Sequence, residues 1–401
     1  MIRCIDIRLL LVTWLVLLVT GCSRDYEPVQ EPAMSDKSAF MMYIYLPNGG
    51  TTRNGEDDRS IYIDQPFERK IKSFRVWVFA RNSLHELMSI SDADGATNKV
   101  LYRTVGSIDE SVNMLTEVFD VLDGINNTYP YVDIYVIVNS ESLGKDEDWC
   151  RPKETESLQE MESRLENLLL DTSSFGIGEN MVSAASEDGL PMSGYLKNAP
   201  VSAQGVVFTT MGIKVKRAVS KIRFVFAKSP STPEASITSV KLNTGMIPTT
   251  EYLFSGTAAV NNVALHETGY GNEYYGEITF FNSDAPATIN TNVMPTILSW
   301  SASLNRQEWE DALNAAIANN EATELVRAYL HESPQRLTGT ITYKLTTDGA
   351  EESATFQMSE SPTGQFLRNH SWTVYAFFTE GGLIYEVANW DEETVTVKPV
   401  I

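Results

Sequence analysis

The sequence has few cysteines and little positive charge, and each scarcity excludes a class of protein. Only Cys4, Cys22 and Cys150 occur in 401 residues, so a framework of disulfide bonds is excluded. The formal net charge is −22, and no block of Lys and Arg is present that could hold a nucleic-acid backbone. We therefore expect no nucleic-acid partner.

The motifs of common enzyme and metal sites are also missing. The four histidines form no H-E-x-x-H pattern, and the chain has neither a G-x-S-x-G elbow nor a phosphate-binding loop. Asp92 and Asp94 begin like a calcium loop, but the later acidic positions are absent, so a tight turn is favoured. We therefore predict that the chain is not an enzyme and has no catalytic residue, no metal site and no cofactor.

One long hydrophobic run occurs, near the start of the sequence. Arg3 and Arg8 precede an apolar stretch from Leu9 to Val19, which has the length of a signal peptide and is too short to span a membrane comfortably. It ends in Leu-Val-Thr-Gly-Cys at Cys22, which resembles the lipobox of bacterial lipoproteins. The resemblance implies cleavage after Gly21 and acyl chains, such as palmitate, on Cys22, which hold a protein at a membrane. The alternative is a secretory signal in which this cysteine occurs by chance.

Composition and patterning divide the chain into four parts. Hydrophobic residues make up 43% of the sequence, which is enough for folded cores. Residues 1–21 are predicted to be the lipoprotein signal peptide. Residues 22–39 lack apolar periodicity and are predicted to be a flexible tether. Two β-sandwich domains of similar length are predicted over residues 40–204 and 205–401, with no convincing repeat between their sequences.

Strand patterns dominate the body of the chain. Period-two alternation of apolar residues appears in SFRVWVFAR, YVDIYVIVNS, SKIRFVFAK, GTITYKLT and SWTVYAFF. Such runs are typical of antiparallel sheets with one face in solvent. Two stretches have helical periodicity instead, Leu158 to Leu169 and Gln307 to Leu330, the second with a weak point at Asn319-Asn320. The predicted fold class is mainly β, with a few inserted helices.

Several stretches, taken in order, resemble the fimbrillin superfamily, the type V pilins of Bacteroidetes. No single stretch is specific, but their joint order spans nearly the whole mature chain. The lipobox is followed by AFMMYIYLP, GGTTRNGEDDR, ERKIKSFRVWVFAR, LPMSG, VKRAVSKIRF, FLRNHSWTVYAFF and YEVANWDEE. The resemblance implies two transthyretin-like β-sandwiches in tandem and a role in the assembly of fimbriae.

The resemblance also implies an assembly route. Precursors of this family reach the outer membrane as lipoproteins, and a trypsin-like protease cuts them after a basic residue that follows the first strand. Loss of that strand opens a groove, which a neighbouring subunit fills with a donated strand. Here the first strand would be Phe40 to Leu46, and the cut would follow Arg53 or Arg59. The alternative is an ordinary loop in which these arginines are merely solvated.

The expected function is therefore that of a structural subunit of a cell-surface fimbria, with an accessory or tip-like position favoured by the predicted helix at Gln307 to Leu330. The final strand pattern, around Val395 and Val397, could be a donor strand or the last strand of its own sheet. The main alternative function is a surface glycan-binding lipoprotein. Its aromatic platforms would come from Tyr252, Tyr270, Tyr274, Tyr275, Trp300 and Trp309.

Overall fold

The computed structural model of the chain describes residues 39–45, 50–51, 57–58, 66–91, 97–98, 100–106, 114–120, 130–170, 188–201, 208–232, 234–254, 265–266, 270–289, 306–346, 348–358, 366–379 and 382–391. The described residues form mainly β-strands with a few helices, as predicted. Three sets of residues from the sequence predictions lie outside these ranges: the predicted lipidation site Cys22, the two candidate cut sites Arg53 and Arg59, and the final strand pattern around Val395.

The first domain contains two packed sheets. Its strands are β1 (Ala39–Tyr45), β2 (Gly50–Thr51), β3 (Asp57–Asp58), β4 (Phe74–Arg81), β5 (Leu87–Met88), β6 (Ile90–Ser91), β7 (Thr97–Asn98), β8 (Leu101–Val105), β9 (Met114–Asp120), β10 (Tyr131–Val138), β11 (Leu169–Leu170), β12 (Met192–Pro200), β13 (Phe208–Lys214) and β14 (Lys216–Arg217). One sheet has the order β13-β1-β9, and the other runs β14-β12-β10-β4, with β5 and β8 also paired to β4.

The second domain is built in the same way. Its strands are β15 (Ser220–Lys228), β16 (Ser236–Leu242), β17 (Glu251–Tyr252), β18 (Ile278–Thr288), β19 (Thr323–Leu330), β20 (Thr338–Lys344), β21 (Glu352–Gln357), β22 (His370–Thr379) and β23 (Gly382–Asp391). The sheets have the orders β19-β15-β22-β23 and β18-β16-β20-β21. The described helices of the whole chain are α1 (Pro66–Arg69), a 3₁₀ turn at Ser140–Leu143, α2 (Glu147–Cys150), α3 (Leu158–Glu166) and α4 (Arg306–Ala318).

The two domains share one strand topology. In each, the first strand lies between an antiparallel neighbour (β9 or β19) and a parallel neighbour (β13 or β22). In each, the second main strand, β4 or β16, pairs with two antiparallel neighbours, β8 and β10 in one domain and β18 and β20 in the other. The sheet then continues to β12 or β21. The chain is thus a structural repeat, although its sequence shows none.

Each sandwich has its own apolar core between its sheets, and the alternating residues predicted for β4, β10, β15 and β22 line these cores. The expectation of one solvated face is wrong for several strands. On β4, Val76 and Val78 face the first core, while Trp77 and Phe79 are equally buried in a separate cluster on the other face. All residues of β15 are buried. Helices and the neighbouring domain cover the faces that alternation alone assigns to solvent.

The first predicted helix, Leu158 to Leu169, is confirmed as far as Glu166, and Leu169 lies in the strand β11 instead. The second predicted helix is only partly correct. In α3, Met161 and Leu165 are buried on the predicted apolar stripe, and Ser157 caps its start. The predicted helix from Gln307 to Leu330 ends at Ala318, because Asn320 adopts a left-handed conformation with φ 60°. The remaining residues form β19, whose alternating Val326, Ala328 and Leu330 face the second core.

Strand pairing extends the first domain beyond the predicted boundary between residues 204 and 205. The strand β13 pairs with β1 over its whole length, and β14 pairs with β12, so both belong to the first domain. The second domain then starts with β15 at Ser220. A last strand that returns to pair with the first strand of its domain cannot be assigned from local composition, because the pairing is between residues far apart in sequence.

Candidate functional site

The first strand, β1, lies in the middle of its sheet and is paired along both edges. All seven of its residues, Ala39 to Tyr45, pair in parallel with β13 and antiparallel with β9. The structure therefore places the first strand one residue earlier than the predicted Phe40 to Leu46. Because both edges are paired, removal of β1 would leave two ladders of backbone N–H and C=O groups without partners.

The side chain of Ile44 anchors β1 in the first core. It is fully buried and belongs to the same cluster as Ile213 of β13 and Phe74 and Val76 of the facing sheet. Burial of such a side chain contributes roughly 2 to 3 kcal/mol. Loss of β1 would thus open a slot with polar edges and an apolar floor, which is the combination that an added strand recognises.

One side of this slot is formed by β13, and the end of β13 packs closely on β12 at Gly194. A Cβ atom at this position would lie 2.5 Å from the carbonyl oxygen of Lys214 and 3.0 Å from Ile213. Only glycine lets the end of β13 pack this closely on β12. The LPMSG stretch, noted for its resemblance to the fimbrillins, therefore has a physical role beside the first strand.

The two candidate cut sites follow β1 in sequence. Gly50–Thr51 and Asp57–Asp58 form a short antiparallel ladder, β2 with β3, on either side of Arg53 in the chain. Arg59 comes directly after this ladder. Both arginines therefore separate β1 from β4, so a cut at either would leave β1 attached to the body of the domain only through its contacts.

The other quoted stretches meet at the junction between the domains. Glu68 of α1, which is 2% exposed, accepts hydrogen bonds from Lys221 Nζ at 3.2 Å and from the hydroxyl of Tyr329, both in the second domain. The backbone carbonyl of Glu68 accepts a bond from Arg217 Nη2 at 3.2 Å. The side chain of Asn369 accepts from the backbone N–H of Arg217 at 3.1 Å. Polar and charged groups of both domains therefore meet in one hydrogen-bonded network at this junction.

A second group of contacts reinforces this junction. The strand β11 of the first domain pairs with β17 of the second. The carbonyl of Leu253 accepts hydrogen bonds from Ser193 Oγ at 2.7 Å and from Arg368 Nη1 at 2.8 Å. Arg368 also forms a buried ion pair with Glu251. An apolar cluster spans both domains here, with Phe254 packed edge-on against Tyr135 at 5.3 Å. The junction is therefore a packed interface rather than a linker.

Two residues that the sequence leaves without a role are buried. Cys150 is a free thiol whose pKa is raised by burial, so it is a poor nucleophile at neutral pH. His331 is fully buried beside Arg368, and burial together with this positive neighbour lowers its pKa to about 4. Neither residue could be located from its sequence context, since both depend on contacts between distant segments.

Of the aromatic residues considered for a glycan platform, Tyr252 and Tyr275 have intramolecular contacts, whereas Tyr270 and Tyr274 lie on the segment that forms isolated bridges with Glu251 and Pro248. Tyr252 stacks on His266 with ring centroids 3.5 Å apart, and Tyr275 packs against the second core. Tyr274 is 38% exposed, and Trp300 lies outside the described residues.

Within the described ranges, no group of three or more His, Cys, Asp or Glu residues is placed to hold a metal ion. No helix in this part of the chain has the length and apolar character needed to cross a membrane.

No protein-family model matches the sequence, and no curated protein matches it significantly. Solved structures of similar fold include the tip fimbrial protein Mfa3 from Porphyromonas gingivalis, at 11% identity and a TM-score of 0.44, covering 88% of this chain and 100% of that one. A candidate cell adhesion protein from Parabacteroides distasonis has 12% identity, a TM-score of 0.45 and coverage of 88% and 98%. A fimbrial assembly protein from the same organism has 12% identity, a TM-score of 0.38 and coverage of 88% and 97%.

The TM-scores of these three fimbrial and cell-adhesion proteins are all below 0.5, so no role is assigned to this chain from them. The overlays are loose, and a shared fold at such identities does not by itself fix function.

Proposed function

We propose that the chain is a structural subunit of a cell-surface fimbria and that neighbouring subunits join by strand exchange at β1. The observation that carries this proposal is the position of β1, which is paired along both edges and buries Ile44 in the core. Its removal leaves a slot with two free ladders and an apolar floor. A strand donated by another subunit satisfies both, so the two chains are joined by backbone hydrogen bonds and by side-chain register.

The order of residues along the chain fits this route. The lipid at Cys22 would bring the precursor to the outer membrane, and the tether of residues 22–39 would place β1 close to it. A trypsin-like protease cutting after Arg53 or Arg59 would then sever the lipid and β1 together from the rest of the chain. Exchange of β1 for a donated strand would release the subunit into the fimbria. In this role the chain is a structural, non-catalytic protein, in an accessory or tip-like position.

The processing step is tested by mass spectrometry of the chain from the cell surface. We expect the assembled form to begin after Arg53 or Arg59 and to lack Cys22. The double variant Arg53→Ala, Arg59→Ala should stay lipidated and unassembled. The control Arg151→Ala, at a residue whose side chain is 68% exposed, should be processed normally. An assembled form that retains lipidated Cys22, or assembly of the double variant, would contradict the proposed cut.

The exchange step is tested with a synthetic peptide of residues 39–45, flanked by lysines for solubility. The chain cut after Arg53 or Arg59 should bind the fluorescent peptide saturably, and the uncut chain should not. A matched peptide with Ile44→Asp should bind at least roughly tenfold more weakly, because an unpaired carboxylate would enter the core. Equal binding of the two peptides, or no binding to the cut chain, would refute strand exchange at this slot.

A further inference from the structure

Residues 66–73, which lie between the candidate cut sites and β4, are held by contacts with both domains. They comprise α1 (Pro66–Arg69) and the short stretch that leads into β4. A cut after Arg53 or Arg59 would turn the N-terminal side of this segment into a chain end. Chain ends fray unless contacts hold them. The contacts of residues 66–73 therefore decide how far such a cut would loosen the first domain.

This segment leads into the floor of the slot that β1 occupies. Ile71 is 1% exposed and Phe74 is fully buried, and both belong to the apolar cluster that contains Ile44 of β1. After loss of β1, the slot can receive another strand without refolding only if Ile71 and Phe74 keep their positions. The segment that carries them must therefore be fixed by contacts other than those with β1.

The second domain holds the first half of the segment. Phe67 packs edge-on against Tyr329 of β19, with ring centroids 5.9 Å apart. The carboxylate of Glu68 accepts hydrogen bonds from the hydroxyl of Tyr329 and from Lys221 Nζ, the latter at 3.2 Å. Phe67 is 7% and Glu68 2% exposed, so these contacts are shielded from water and costly to break. None of them involves β1, so they remain when β1 is lost.

One side chain of the first domain holds the second half of the segment. Asn139, which follows β10, is fully buried. Its Nδ2 donates to the carbonyl of Lys70 at 2.7 Å, and its Oδ1 accepts from the backbone N–H of Lys72 at 2.8 Å. The backbone N–H of Asn139 donates to the carbonyl of Ser73 at 2.9 Å. Asn139 thus offers this stretch the hydrogen bonds that a neighbouring strand would otherwise provide.

We propose that residues 66–73 act as a clamp that keeps the floor of the slot folded after the cut. The inference rests on the proposed function, because it concerns the chain between cleavage and the arrival of a donated strand. Without these contacts, a new chain end would open locally into β4. With them, the opening stops at Pro66, and the slot stays preorganised for the incoming strand. The second domain therefore has a role in exchange at the first.

The clamp is tested by hydrogen exchange in the full mature chain, with a site for a sequence-specific protease inserted after Gly55. Cutting the wild type should raise the exchange rates of residues 70–81 by less than about tenfold. Asn139→Gly keeps the left-handed backbone, with φ 57°, and removes the side-chain bonds. Its effect on these rates should be at least roughly tenfold larger in the cut chain than in the uncut chain. Asn320→Gly, at an exposed left-handed asparagine with φ 60°, is the matched control and should leave these rates unchanged.

A second pair of variants tests the hold from the second domain. Tyr329→Phe keeps the ring beside Phe67 and removes the hydroxyl that donates to Glu68. It should raise the exchange rates of residues 66–73 at least roughly threefold more in the cut chain than in the uncut chain. Tyr375→Phe is the control, because among the described residues the buried hydroxyl of Tyr375 has no hydrogen-bond partner. It should leave these rates unchanged.

Loss of all protection over residues 70–81 when the wild type is cut would overturn the proposal. An equal effect of either Asn139→Gly or Tyr329→Phe before and after the cut would overturn it as well. Mass spectrometry of the cut sample reports separately whether an excess of the peptide of residues 39–45 displaces the fragment that carries β1. Retention of that fragment would count against strand exchange and not against the clamp, because the exchange rates are read without a donated strand.

Discussion

The first strands of the two domains occupy the same place in one topology, but they are covered differently. Every residue of β15 is buried, and α4 packs on its outer face through Leu313 and Ala316. Arg223 on that face bonds to Asn314 of α4 at 3.0 Å and to Glu324 at 2.7 Å. In the first domain the long described helix, α3, packs instead on the sheet that faces β1 across the core.

The helix α4 therefore covers the first strand of the second domain, whereas β1, the strand that we propose is exchanged, has no described helix packed on it. The strand β15 is joined to the chain at both ends, bonded to Glu68 through Lys221 and covered by α4. The strand β1 is joined to the rest of its domain through the segment that carries Arg53 and Arg59. In the second domain α4 packs on β15 and β22, and Lys241, on the outer face of the other sheet, is 34% exposed.

The largest predicted difference in stability between the domains concerns one lysine in each. Both lie on the outer face of the sheet that does not contain the first strand of the domain. In the first domain α3 covers Lys197, which bonds Asp133 and Glu162, both at 2.7 Å. Burial opposes the charge on Asp133, but the neighbouring Lys197 lowers the pKa of this carboxyl below its usual value. Lys197→Met should reduce the free energy of unfolding by about 3 to 5 kcal/mol, because it leaves buried carboxylates short of a cation. Urea unfolding at neutral pH measures the difference in the free energy of unfolding between the wild type and this variant.

The matched change in the second domain is Lys241→Met. Lys241 is 34% exposed and its partner Glu277 is 52% exposed, so solvent screens the pair. The expected loss is below about 1 kcal/mol. Equal losses for the two variants would show that α3 does not set the different environments of these two faces.

An intermediate effect is predicted for acid stability. Burial beside Arg368 lowers the pKa of His331 from its ordinary 6.5 to about 4, so the folded state binds fewer protons than the unfolded state between these values. The stabilising contribution is complete above pH 6.5 and is lost as the pH falls towards 4. Between pH 7.5 and 5 the wild type should lose about 2 kcal/mol more than His331→Gln in urea unfolding.

The first domain should not contribute to that loss. Asp133 has a lowered pKa, so the stability that it provides is present above the ordinary carboxyl pKa and is lost only in stronger acid. If tryptophan or NMR probes in the first domain report destabilisation over the same range as His331, the two domains do not differ in acid response as inferred.

A further predicted effect concerns the contact between β12 and β13, the strand that pairs with β1. Gly194→Ala would place a Cβ 2.5 Å from the carbonyl oxygen of Lys214, forcing the end of β13 away from β12. We expect a loss of about 1 to 2 kcal/mol and faster release of β1 from the cut chain. Gly106→Ala, where a Cβ meets nothing within 4 Å, is the control and should change stability by less than about 0.5 kcal/mol. Thermal unfolding and peptide release rates measure both effects.

Sequence patterns predict much of this fold because alternation is a local signal. The inward residues of β4, β10, β15 and β22 follow from period two, and the apolar stripe of α3 follows from the helical period. The sequence pattern predicts a helix where β19 lies, because a short apolar run such as Leu325-Val326 fits the helical period as well as the strand period of two. The left-handed Asn320 decides between them.

The features on which the proposed function rests depend on contacts between residues far apart in sequence, which no local pattern contains. The pairing of β1 with β13 joins residues that are far apart in sequence, and the repeat of topology is preserved without a repeat of residues. At Thr238 the strand β16 has one residue more than its partner β20, and the composition of the segment does not reveal this bulge. The junction at Glu68 could have been suspected from Arg217, Lys221 and Arg368, because charged residues within apolar stretches often have buried partners.

The pairing of β1 along its whole length also determines how it would respond to force. A strand at the end of a hairpin can be peeled away one hydrogen bond at a time. A strand that lies between two neighbours and is pulled along its own axis must shear both ladders at once. A donated strand in the place of β1 would be loaded in this second way whenever tension ran along the fimbria. If strands are exchanged as proposed, the junction between two subunits would therefore resist traction through two ladders of hydrogen bonds.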